Sequence, residues 1–117
     1  MYTTSYVTLM VKDMDRSIKF YVDEMGLELK SRHGDFWAEV QAPDVLIGLH
    51  PIGDSAEKPS TGSVSIGFMV EDFAGALQRL KDRKVSFESV TETAEASSAY
   101  LTDPDGYQLY IMWRAQH

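Results

Sequence analysis

Cysteine is absent from the 117 residues, which excludes disulfides, thiolate metal centres and cysteine nucleophiles together and fits a reducing, cytoplasmic setting. Positive charge is scarce: 11 Lys and Arg stand against 18 Asp and Glu, for a formal net charge of −7. Such a surface repels phosphate backbones and anionic lipid, so neither nucleic acid nor a membrane surface is expected as a partner. No apolar run approaches the ~18 residues that a membrane span requires. The opening MYTTSYVTLMVKDMD has no basic region ahead of an apolar stretch, so no leader segment is expected. Nucleophile-elbow, Walker-type and dinucleotide-binding glycine motifs are missing as well. What is present, 44% hydrophobic and 25% charged residues, suits one compact domain spanning residues 1–117.

The pattern along the chain starts with SYVTLMV at residues 5–11, apolar on both faces and rich in β-branched residues, which predicts a buried strand. Asp13 offers a helix N-cap, Met14, Ile18, Tyr21, Val22 and Met25 recur at helical spacing, and Gly26 supplies the stop. Three strands are then expected: LELKSRH from Leu27, FWAEVQ from Phe36 and DVLIGLH from Asp44, the last two separated by Ala42 and Pro43. Residues 51–63, PIGDSAEKPSTGS, read as an exposed linker.

After the linker the order begins again. SVSIGFMV is strand-like, Asp72 is a cap, and Phe73, Ala76, Leu77 and Leu80 share one helical face. VSFESV, SSAYLT and YQLYIMW follow as strands. Shifting the first half by 59 residues places Val11 on Val70, Asp13 on Asp72, Met14 on Phe73, Ile18 on Leu77 and Tyr21 on Leu80. The chain is therefore predicted to be an α+β protein of two βαβββ modules, about residues 4–50 and 63–113, with helices outside and curved mixed sheets around a central cleft.

The pieces VTLMVKDMDRSIKFYVDEMGLEL, IGFMVEDF and LTDPDGYQLYI, in this order and duplicated, resemble the vicinal oxygen chelate superfamily of glyoxalases, extradiol dioxygenases and bleomycin-resistance proteins. The resemblance covers nearly the whole chain. It implies a ligand cleft on the sheet faces and, as in many members, a homodimer. In the metal-dependent members a His or comparable ligand opens the first strand of each module, and two further ligands, usually Glu, come from the last strand of each module. The matching residues here are Tyr6, Ser65, Gly48 and Tyr110. Two phenols, a hydroxyl and a glycine offer a divalent cation almost nothing at neutral pH, so no metal and no other cofactor is expected. Tyr110, in the middle of the terminal strand, stands where such a member presents a carboxylate.

Strand alternation widens these positions into surfaces. Tyr6, Thr8 and Met10 are expected on the cleft face with Leu46, Gly48 and His50, and with Ser65, Gly67, Met69, Gln108, Tyr110 and Met112. Val7, Leu9, Val11, Ile47, Leu49, Leu109, Ile111 and Trp113 are left for the core. Trp37 and Glu39 alternate together. The resemblance matches Trp37 to an aromatic that helps to sandwich a flat cationic drug in metal-free bleomycin-resistance proteins; a core tryptophan is the other reading, and for Glu39 a solvated edge charge. His50 is a candidate displaced metal ligand or general base. His33, beside a turn, and His117, at the end of the chain, are expected to be solvated. The function expected is binding or sequestration of a small organic molecule, aromatic or cationic, without a metal. The alternative is a glyoxalase-like lyase, isomerase or dioxygenase, metal-independent or built around His50.

Overall fold

The computed structural model describes residues 1–53 and 61–115. Residues 54–60 of the expected linker, and His117, lie outside them. Two compact units divide the chain, Met1–Pro59 and Ser60–His117. Each is a four-stranded mixed sheet with its helical segment, so the α+β class and the strand-helix-strand-strand-strand order are as the sequence predicts.

In the first unit β1 (Tyr6–Val11) leads into α1 (Met14–Ile18), which continues as a π-helical turn, Lys19–Glu24, before β2 (Glu28–His33), β3 (Trp37–Ala42) and β4 (Val45–Pro51). The sheet order is β1-β4-β3-β2, with β1 and β4 parallel and the other pairs antiparallel. Asp13 caps α1 by accepting from the Arg16 backbone N–H at 3.1 Å. Without such a partner this N–H would have no intrahelical acceptor. At the other end Gly26 takes φ 81°, a left-handed conformation that glycine adopts without steric cost.

The buried helical set differs from the expected one. Met14, Ser17, Phe20 and Tyr21 are buried, whereas Ile18, Val22 and Met25 are only half so. The reason is the wider turn, in which the Met25 N–H reaches back to the Phe20 carbonyl at 2.8 Å. A five-residue step advances the face by an extra residue and brings Phe20 inward beside Tyr21, edge to face at 5.0 Å. The β3–β4 connection also sits one residue later than expected. Ala42 ends β3, and Pro43 and Asp44 make the turn, with Asp44 at φ 64°. Proline followed by a left-handed residue fits a type II turn.

The second unit repeats the plan with β5 (Ser65–Met69), α2 (Phe73–Asp82), β6 (Ser89–Glu92), β7 (Ala96–Thr102) and β8 (Gln108–Arg114), in sheet order β5-β8-β7-β6. The 59-residue offset carries the first residue of β1 onto the first of β5 and the first of α1 onto the first of α2. Asp72 caps α2 through the Gly75 N–H at 3.0 Å. The strand expected over residues 85–90 begins only at Ser89. Val85 is instead the residue after the helix stop: its N–H bonds to the Leu80 carbonyl at 3.0 Å, and both side chains are buried. That is the hydrogen bond of a Schellman motif, with buried apolar residues at both of its ends.

Leu9, Val11, Val40, Ile47 and Leu49 are all but inaccessible, as are Leu101, Leu109 and Ile111 of the second unit. Each such side chain contributes about 1.5–3 kcal/mol by leaving water. Val7, expected with them, is 38% exposed near the start of edge strand β1. Among the described residues no helix is long and apolar enough to cross a membrane.

Asp72→Ala should cost about 1 kcal/mol in urea denaturation, the usual loss for an N-cap. Lys84→Gly should raise stability by up to about 1 kcal/mol, because Lys84 holds the left-handed position, φ 76°, that Gly26 fills in the first unit. An unchanged midpoint for both variants would contradict these assignments.

Candidate functional site

The ladder registers define one face of the first sheet. Tyr6, Thr8 and Met10 of β1 pair with Leu46, Gly48 and His50 of β4, and Glu39 and Gln41 of β3 pair with Gly48 and Leu46. Residues paired directly share a face, so Tyr6, Trp37, Glu39, Gly48 and His50 come together, with Thr8 beside Gly48. Leu46, at one end of this face, is buried rather than open.

Gly48 is the position on which this surface turns. A Cβ built there would collide with the six-membered ring of Trp37, whose Cζ2 would lie only 2.9 Å away. The indole occupies the space that a side chain at 48 needs. It is held there by its own N–H, which donates to Glu39 Oε2 at 3.0 Å. Tyr6 stands on one side, ring centroids 6.1 Å apart, and His50 on the other, edge to face at 6.4 Å. Trp37 is half-buried, as befits a ring lying against the sheet with one surface toward solvent.

Glu39 is not an edge charge. It lies on β3, an interior strand, and its carboxylate accepts from Trp37 Nε1 and from the Tyr6 and Ser31 hydroxyls. Ser31 reaches it because of a β-bulge. Glu28 and Leu29 pair with Gln41 and Val40, and Ser31 then pairs with Glu39, so Lys30 is the extra residue. An unbroken ladder would set Lys30 opposite Glu39. Hydrogen bonding, first from Trp37, holds the Glu39 carboxyl below the usual carboxylate range; partial burial opposes this, and Tyr6, Ser31 and the Lys30 charge add to it. Burial pushes the Tyr6 phenol up, and the neighbouring Glu39 charge adds to the rise.

Two further side chains on this face have roles fixed by their partners. Gln41 Nε2 donates to the Ala42 carbonyl at 2.7 Å and more weakly to that of Val45 at 3.4 Å. His50 Nδ1 lies 2.8 Å from the Pro51 carbonyl. A carbonyl only accepts, so Nδ1 is the donor, and in the tautomer that this contact selects Nε2 is the acceptor.

The second sheet has its own version of the covered glycine. Gly67 pairs with Tyr110, and a Cβ on Gly67 would collide with the Tyr110 ring. Tyr100, directly across from Tyr110 on β7, joins it at 5.5 Å and 39°. The same ladder sets Ser65 beside Gln108 and Met69 beside Met112, with Ser65, Met69 and Gln108 exposed and Met112 half-buried. Trp113, expected in the core, lines a cavity of about 550 Å³ with Met69, Val70, Glu71 and Arg114. Ser31, Gln41 and Tyr100 were not among the expected site residues. Alternation along SSAYLT marks Tyr100 as a partner for Tyr110, and alternation along FWAEVQ marks Gln41 with Glu39. Nothing in LELKSRH marks the bulge that turns Ser31 inward.

The four positions that the sequence resemblance matches to cation ligands, Tyr6, Gly48, Ser65 and Tyr110, offer a divalent cation a poor donor set. Gly48 brings no donor atom, and Ser65 brings a neutral hydroxyl. Tyr6 and Tyr110 bring phenols, of which Tyr6 is already a donor to Glu39. Among the described residues no group of three or more His, Cys, Asp or Glu is placed to share a metal ion.

Protonation of Glu39 is the way to break the cluster without mutation. Its folded-state pKa is depressed, so its hydrogen bonds are fully formed above the ordinary glutamate value of ~4.3 and are lost as pH falls through the lower folded value. The Trp37 indole N–H resonance should titrate with a midpoint below ~4.3, and Glu39→Gln should abolish that titration. Gly48→Ala should displace the indole and shift the same resonance at neutral pH. An indole signal indifferent to both changes would refute the arrangement.

Comparison with known proteins agrees with the fold. The family model for the Glyoxalase/Bleomycin resistance protein/Dioxygenase superfamily matches residues 3–111. Among solved structures, an antibiotic-binding protein, TnmS3 from Streptomyces sp. CB03234, is 21% identical with a TM-score of 0.76, covering 98% of each chain. A glyoxalase/bleomycin resistance protein/dioxygenase from Nocardioides is 22% identical at a TM-score of 0.79, covering 99% of this chain and 85% of its own. A lactoylglutathione lyase from Agrobacterium tumefaciens is 18% identical at 0.75, covering 95% and 92%. No curated protein matches by the same standard. With a duplicated βαβββ plan, a matching family model over nearly its full length and neighbours that share the fold, the chain belongs to the glyoxalase/bleomycin resistance/dioxygenase superfamily.

Proposed function

We propose that the protein binds or sequesters a small, flat organic molecule and does so without a resident metal. The observation that carries this reading is the Trp37 indole lying across Gly48. The position at which a metal-dependent relative places a carboxylate is given up to an aromatic surface. Such a surface recognises a planar ligand by stacking, with about 0.5–2 kcal/mol more where the ligand is cationic. Tyr6, Thr8, Glu39 and His50 surround it on the first sheet. Ser65, Met69, Gln108, Tyr110 and Met112 form the corresponding ligand-facing surface proposed for the second. The antibiotic-binding neighbour supports binding as the activity, and the lyase neighbour supports catalysis; the donor chemistry at Tyr6, Gly48, Ser65 and Tyr110 favours the first. A homodimer and a cytoplasmic location belong to the same proposal.

Catalysis by side chains alone is the second reading, and the His50 tautomer is what favours it. With Nδ1 spent on the Pro51 carbonyl, Nε2 is a ready proton acceptor.

Three measurements test the binding reading. Elemental analysis of the purified protein should find no stoichiometric Fe, Ni, Zn or Mn, and chelator should leave the melting temperature unchanged. A thermal-shift screen of planar metabolites and antibiotics should yield a ligand that raises that temperature by linkage. Calorimetry should then show at least tenfold weaker binding by Trp37→Ala, the loss typical of an aromatic anchor. One equivalent of tightly held metal, or undiminished binding by Trp37→Ala, would overturn the proposal.

A further inference from the structure

We propose that the first sheet face selects its ligand by hydrogen-bond polarity, taking flat molecules that carry N–H donors and turning away carboxylates and other oxyanions. The inference rests on the binding reading above and adds the class of ligand to it.

It follows from where the protons on this face are spent. The Trp37 N–H donates to Glu39. The Tyr6 and Ser31 hydroxyls donate to the same carboxylate. The Gln41 amide N–H groups face the Ala42 and Val45 carbonyls, and the His50 Nδ1 proton faces that of Pro51. Each of these donors is satisfied within the protein. The same groups keep acceptors: the remaining lone-pair capacity of the Glu39 carboxylate, Gln41 Oε1, His50 Nε2 and the Tyr6 and Ser31 oxygens. A ligand lying on the indole therefore meets a stacking surface edged by acceptors, one of them anionic. Thr8, an exposed hydroxyl, can act either way. Lys30 and His33, exposed on edge strand β2, are the donors outside this set.

The consequence is asymmetric. A ligand N–H that loses water on binding regains a partner, and the partner is charge-assisted at Glu39. A ligand carboxylate on the indole loses its hydration and meets mainly lone pairs beside the Glu39 charge, so most of its desolvation cost is not returned. The bulge in β2 contributes to the selection, because it opposes Glu39 with the Ser31 hydroxyl where a regular ladder would bring the Lys30 ammonium.

Three probes on one ring system separate hydrogen-bond polarity from charge and shape: 2-aminobenzimidazole, which carries N–H donors; 1,3-dimethylbenzimidazolium, a cation with none; and 1-methylbenzimidazole-2-carboxylate, an oxyanion with none. Calorimetry gives their affinities, and the Trp37 indole resonance reports whether they sit on this face. The amino compound should bind at least tenfold tighter than the dimethyl cation, with the carboxylate weakest. Glu39→Gln, its fold checked by amide spectra, should reduce the ratio of the first two toward one. If the dimethyl cation binds as well as the amino compound, or the carboxylate binds best, donor selection fails while the binding reading stands. If none of the three moves the Trp37 resonance at millimolar concentration, both fall.

Discussion

A glycine in a strand leaves a gap one side chain wide, and on the first sheet that gap is filled by a tryptophan from the neighbouring strand. Nearly everything particular to this surface depends on the contact between Trp37 and Gly48. Any Cβ at 48 would lift the indole from the sheet. Lifted, the ring would leave the Glu39 carboxylate, which in turn is what Tyr6 and Ser31 donate to. Absence of one side chain thus organises four others. The second sheet uses the same device with a different donor of the ring: Tyr110 comes from the strand paired with Gly67 and lies directly across it.

Much of the architecture was legible in the sequence because it is written in local chemistry. Asp13 and Asp72 announce helix starts through a side chain that reaches only the next turn, and Gly26 announces a stop through its backbone freedom. Alternation fixed the faces of β1, β4 and β8, where Leu9, Val11, Ile47, Leu49, Leu109 and Ile111 are buried. The failures lie where structure departs from a fixed period. The π-helical turn at Lys19–Glu24 adds a residue to a helical repeat, and the β2 bulge adds one to a strand repeat. Neither insertion carries a residue type that marks it. Val85 was misplaced for a different reason: a β-branched residue next to a helix stop looks like the start of a strand, and only the Leu80 contact shows that it closes the helix.

The site was legible as a set of positions and not as a network. Pairing Trp37 with Glu39 needed only a period of two, and pairing both with Gly48 needed the β3–β4 turn to be placed correctly. What the sequence could not supply was the direction of each hydrogen bond. Glu39 read as a solvated charge because a lone carboxylate on a short strand usually is one. Its actual role follows from strand order, which puts β3 inside the sheet and gives Glu39 neighbours on both sides.

The same carboxylate also sets the chemistry of its neighbour. For Tyr6 to serve a cation as the first-strand ligand of a metal-dependent relative does, its phenol would have to ionise. Burial and the Glu39 charge push it the other way, and its proton is the one shared with Glu39. Ionising Tyr6 would set two anions side by side and cut one of the bonds that steadies Glu39, and through it the Trp37 ring. The arrangement that flattens an indole against Gly48 therefore keeps the phenol neutral. Cation chelation at this position would call on the same Tyr6 proton that helps to hold the proposed stacking surface in place.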